Sequence, residues 1–135
     1  MAKLRFFRSR DVPIEPGVVR LVHDGDRERW GEHGYEKRKL VHADARQSLD
    51  LVWFEFAPGA VVPRHRHDTD EIVYVLSGEV RVGRQRYGAG DGFSMPRHTA
   101  YAYVVGPDGV TLLEVRDAHD YTTETVDEHG DWPTA

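Results

Sequence analysis

His65 and His67 stand two residues apart, and Glu71 follows four residues later. On a strand, side chains alternate faces with a period of two, so both imidazoles project to the same side. Asp68, Thr69 and Asp70 read as a polar turn. Glu71 then opens the apolar run Ile72-Val73-Tyr74-Val75-Leu76, which Ser77-Gly78 closes as a hairpin turn. Two histidines and a carboxylate from the facing ends of adjacent strands can occupy one face of an octahedron. Positions then stay open for water, dioxygen or a substrate, as in two-His-one-carboxylate iron sites. The plainer alternative is a pair of surface histidines on a polar strand end. The timed glutamate and the framing glycines, Gly59 and Gly78, favour the metal reading.

The elements that must position these groups are short strands. From Leu49 to Phe56, LDLVWFEF is largely apolar on both faces, which calls for cover on both sides. Glu79 to Gly83 alternates, Arg84 to Tyr87 continues after a tight turn, and Gly88 to Gly92 is a turn cluster. Tyr101–Val105 and Val110–Val115 are expected to pair as a hairpin across Gly106-Pro107-Asp108-Gly109. Close strand spacing, glycine at the bends and little helical periodicity argue an all-β fold, an antiparallel barrel or two-sheet jelly roll.

The spacing Gly59, five residues, His65-x-His67, three residues, Glu71, six residues, Gly78 resembles the first motif of the cupin superfamily at every defined position. A second cupin motif should read Gly, five residues, Pro-x-Gly, two residues, His. Gly90 to Pro96 fits its first half; beyond it, His98 replaces the glycine and Tyr101 stands where the fourth ligating histidine is expected. The resemblance implies a cupin-like antiparallel jelly-roll β-barrel. It also implies residues 48–116 as the barrel core, residues 1–47 as an arm covering the barrel or reaching a partner subunit, and residues 117–135 as an acidic tail.

Within that resemblance, His65, His67 and Glu71 are the expected ligands of a divalent transition metal. Iron comes first, with zinc, manganese, nickel and cobalt open, because donor type alone does not choose among them. Parity and the family register put Tyr101 and Tyr103 on the inward face. Tyr101 then acts as a phenolate ligand, a proton donor to substrate or a packing aromatic. His98, near the mouth, is an acid/base candidate or a mouth-lining histidine. Arg97 beside it is a candidate for a substrate anion. Arg64 and Arg66 have the opposite parity and should point away, and Tyr74 reads as packing. The expected activity is that of a non-haem iron oxygenase on a small molecule. The alternatives are a non-redox metal-dependent lyase, isomerase or cyclase, and a non-catalytic small-molecule sensor.

Composition bounds these readings. The 135 residues make one domain with a net charge of −5, and no Lys/Arg stripe alternates with aromatics, so neither nucleic acid nor an anionic membrane is an expected partner. Cysteine is absent, so there are no thiolate ligands or Cys nucleophile, and a cytoplasmic location fits. The basic start is broken by charge before it reaches signal-peptide length. His23, His33 and His42 are irregularly spaced and read as surface or structural residues. Tyr121, Trp132 and Pro133 fall in the tail, read as a solvated end. The apolar outer face of Leu49–Phe56 and the long arm predict a homodimer.

Overall fold

The computed structural model describes residues 3–18, 34–117 and 122–125. His23, His33, Tyr121, Trp132 and Pro133 lie outside them. Among the described residues, a 3-10 turn at Ser9–Asp11 is followed by nine strands: β1 (Glu15–Val18), β2 (Gly34–Val41), β3 (Asp50–Phe56), β4 (Val61–His67), β5 (Glu71–Val82), β6 (Gln85–Gly88), β7 (Gly92–Met95), β8 (Tyr101–Arg116) and β9 (Thr123–Thr125). No helix among the described residues is long and apolar enough to cross a membrane.

Every pairing among the described residues is antiparallel, in the order β1-β2-β3-β8-β4-β9, while β5 leaves β8 as a branch that carries β6 and β7. The expected closed barrel is therefore corrected to an open, branched sheet. Closure requires the outermost strands to bond to each other, but among the described residues β1 pairs only with β2, and β9 only with β4. The branch arises at β8. Its first part, Tyr101–Val104, runs beside β4; its last part, Val110–Arg116, lies between β3 and β5.

Two turn expectations are also corrected. Gly106-Pro107-Asp108-Gly109 does not reverse the chain: β8 runs through it, with Gly109 at φ 79°. Ser77-Gly78 likewise lies inside β5, where the register against β8 shifts on both sides. A Cβ on Gly78 would meet the Gly109 carbonyl oxygen at 2.0 Å, so these two bends press backbone against backbone. Only glycine, at φ 75°, tolerates that approach. The reversal comes at Gly83-Arg84, where Val82 pairs with Gln85.

Alternation builds the core. Val52, Phe54 and Phe56 of β3, Val62 of β4, Val73, Val75 and Val80 of β5, and Tyr103, Val105, Val110 and Leu112 of β8 share one buried cluster. β2 extends the sheet beside β3, and its Tyr35 ring packs 5.5 Å from both Phe54 and Phe56. The outer faces remain more open: Leu51 and Trp53 are half-buried, while Ile72 and Tyr74 are exposed, so Tyr74 does not pack in the core.

Candidate functional site

β4, β5 and β8 meet where the sequence places its chemistry. β4 and β5 are joined by residues 68–70 but are not hydrogen-bonded to each other; both pair with β8. His65 and His67 share a face as their parity requires, with ring centroids 4.9 Å apart. Tyr101 lies opposite His65 in the β4–β8 register and stacks on Tyr103, with centroids 6.3 Å apart. Glu71, at the start of β5, completes the group.

The Tyr101 hydroxyl donates to Glu71 Oε1 at 3.2 Å and lies 3.4 Å from His67 Nε2. His67 Nε2 is in turn 3.5 Å from Glu71 Oε2. On the far side of the ring, His67 Nδ1 faces the Thr122 carbonyl at 3.3 Å and Thr123 Oγ1 at 3.1 Å. A carbonyl only accepts, so we assign the proton of neutral His67 to Nδ1, which leaves a lone pair on Nε2 for the Tyr101 side. His65 Nδ1 turns to the Pro63 carbonyl at 2.6 Å and is assigned a proton for the same reason.

Burial sets the charge states. It pushes the His65 imidazole down to about 4, against a help from the Pro63 carbonyl, and lowers His67 as well. Burial raises Glu71 and holds Tyr101 and Tyr103 well above the ordinary phenol range, with Glu114 adding repulsion. Tyr101 is thus a neutral hydroxyl donor in this arrangement.

Sequence reasoning missed Glu114 and Arg116. Arg116 lies opposite Glu71 in the β5–β8 register, with its Nε 3.5 Å from Glu71 Oε2, and its Nη2 donates to Glu114 Oε2. All three side chains are nearly fully buried. Desolvation pushes Glu114 up to about 7, against the pull of Arg116. Their signal was parity: Leu112, Glu114 and Arg116 alternate onto one face, and Leu112 is core.

The expected metal centre is corrected. Among the described residues no group of three or more His, Cys, Asp or Glu side chains is placed to hold a metal ion, so iron, metal-binding, oxidoreductase and dioxygenase assignments are set aside. The neighbours explain it. Glu71 faces a hydroxyl donor and a guanidinium, which engage the carboxylate oxygens a cation would need.

The remaining candidates are placed differently. His98 is exposed, at φ 66°, and its backbone N–H donates to the His67 carbonyl at 2.7 Å. A left-handed backbone there is what the glycine of the second motif would suit. Arg97 is exposed and paired with Asp70: its backbone N–H donates to Asp70 Oδ1 at 2.8 Å, and its Nε lies 3.6 Å from the same oxygen. Tyr103 is wholly enclosed in the core.

Residues 52–116 match the cupin domain family, so this part of the chain is a cupin domain. No curated protein matches the sequence. Solved structures with similar folds include the polyketide cyclase RemF from Streptomyces resistomycificus. It is 22% identical, with a TM-score of 0.67, covering 96% of this chain and 89% of RemF. An RmlC-like cupin from Shewanella frigidimarina is 24% identical, with a TM-score of 0.61, covering 87% of this chain and 95% of that one. KdgF from Halomonas sp. is 28% identical over 64% of this chain and 81% of its own, with a TM-score of 0.54.

Proposed function

We propose that this cupin is a non-redox proton-transfer enzyme, of the isomerase, lyase or cyclase kind, acting on a small enolisable molecule. The observation that carries this reading is the Tyr101 hydroxyl, within 3.2 Å of Glu71 Oε1 and 3.4 Å of His67 Nε2. One phenolic proton faces two acceptors, and a buried carboxylate of raised proton affinity stands beside a neutral imidazole. Glu71 Oε2 makes no hydrogen bond and can take a proton. Tyr101 is partly exposed, whereas Glu71 and His67 are buried.

In the proposed step a substrate carbonyl accepts the Tyr101 O–H while His67 Nε2 removes the proton from the adjacent carbon. The C–H pair becomes the enol π bond, and the phenol proton moves onto the enolate oxygen. Protonated His67 then passes the abstracted proton from Nε2 to Glu71 Oε2, 3.5 Å away, and Glu71 in turn reprotonates the Tyr101 phenolate, which returns all three groups to their starting states. Thr122 holds the Nδ1–H of His67, so Nε2 stays the basic nitrogen throughout. Cyclisation of a polycarbonyl chain is one reaction of this class, and a polyketide cyclase shares the fold.

The test is deuterium uptake from D2O into β-dicarbonyl compounds and 2-oxo acids, followed by proton NMR. Wild-type protein is expected to exchange at least one of them, and Tyr101→Phe to slow that exchange by about 10²- to 10⁴-fold. Compounds that bind without exchange would instead support a binding module. We further propose that a second copy covers the outer face of β3, β8 and β5, where Leu51–Val115–Ile72 and Trp53–Leu113–Tyr74 form two apolar rows across the sheet.

A further inference from the structure

We infer that Arg116 serves as the site's resident cation, holding Glu71 and Glu114 as a metal ion would and thereby making the site metal-independent. Arg116 lies opposite Glu71 across β5 and β8, contacts Glu71 Oε2 at 3.5 Å, and pairs through Nη2 with Glu114 two residues earlier on its own strand. The three side chains are 8%, 1% and 5% exposed, so water contributes little to their solvation. Two carboxylates packed together in the interior need a counter-charge, and a guanidinium with five donors supplies one that no ordinary pH removes.

The same charge disfavours a divalent ion. Any cation drawn to His65, His67 and Glu71 would meet a fixed positive charge already in contact with Glu71. It would also have to displace the Tyr101 hydroxyl from Glu71 Oε1. Arg116 is buried and its guanidinium is engaged by the two carboxylates. It is a positioning residue: it fixes where Glu71 points and lets a carboxylate persist beside Tyr101. The inference concerns the electrostatics of the site and holds whether or not the site turns a substrate over.

The test is calorimetric titration of zinc chloride and nickel chloride into untagged wild-type protein, Arg116→Met and Arg116→Lys. Wild type and Arg116→Lys are expected to show no site-specific binding. Arg116→Met leaves two carboxylates and two imidazoles without a cation, and is expected to bind zinc at least tenfold more tightly than wild type. Should Arg116→Met fail to fold, the double variant Glu114→Gln/Arg116→Met, which removes the charge pair together, is titrated in its place with the same expectation. Stoichiometric zinc or nickel binding by wild type would overturn the inference, as would a folded charge-deleted variant with no gain in affinity. A second readout separates positioning from bulk stability. In carbon-13 spectra of the glutamate carboxyls at pH 7, Arg116→Met is expected to show one more protonated carboxyl than wild type, and Arg116→Lys to restore the wild-type pattern.

Discussion

At the scale of single residues the site balances groups whose proton affinities burial moves in opposite directions. His65 is held down to about 4 from an ordinary value of 6.5, so the unfolded chain binds its proton more readily, and stability falls as pH falls from 6.5 through 4. Glu114 is pushed up to about 7 from 4.5, so the folded chain binds its proton more readily, and stability falls as pH rises from 4.5 through 7. Each shift corresponds to about 3 kcal/mol at the full width of its window. Between pH 4.5 and 6.5 the two slopes cancel, and wild type should show a nearly flat urea-unfolding free energy. His65→Asn should expose the loss toward high pH, and Glu114→Gln the loss toward low pH. Parallel curves for all three proteins would contradict this balance. Parity and spacing made His65, His67 and Glu71 legible as a group, and the cupin register added Tyr101 to them. Glu114 and Arg116 were not legible as part of the site, because their meaning depends on a strand register that only the folded sheet reveals. Nor could spacing show that a guanidinium would face Glu71.

At the scale of elements, β4, β5 and β8 carry the site, and β5 and β8 both bend at glycines. The strands themselves were readable: Leu49–Phe56 became β3, and the alternation after Gly78 continued β5. Their ends were not. Gly-Pro-Asp-Gly and Ser-Gly are strong turn sequences, yet both are absorbed into long strands, where the glycines permit two backbones to touch instead of reversing the chain. Gly78→Ala should therefore cost about 3 kcal/mol or more, through a positive φ and a Cβ driven into the Gly109 carbonyl. Gly83→Ala, also at positive φ but with nothing within 4 Å of the added Cβ, should cost only about 1 kcal/mol. Urea denaturation of the two variants measures the difference, and equal losses would show that the close approach contributes nothing. Leu112→Ala, in the centre of β8, should cost about 2 to 5 kcal/mol by the same assay.

At the scale of the molecule, short strands and glycine-marked bends made the all-antiparallel character clear, but closure is a property of strand ends that no local pattern encodes. β8 is long enough to serve three neighbours, and the sheet branches there instead of closing. The open arrangement leaves the outer rows around Ile72 and Tyr74 partly exposed. Sedimentation at micromolar concentration should find a dimer, and Tyr74→Arg should shift it toward monomer; a wild-type monomer would remove the dimer proposal. Both outcomes leave the site intact, since Tyr74 points away from the buried face that carries Glu71.

The most direct measurement of the proton-sharing site is the nitrogen-15 spectrum of the His67 side chain in wild type and in Tyr101→Phe at pH 7. A neutral ring with its proton on Nδ1, and an Nε2 resonance that moves when the Tyr101 hydroxyl is removed, is the predicted result. An imidazolium at that pH, or an Nε2 resonance indifferent to the hydroxyl, would contradict the sharing of a proton among Tyr101, His67 and Glu71.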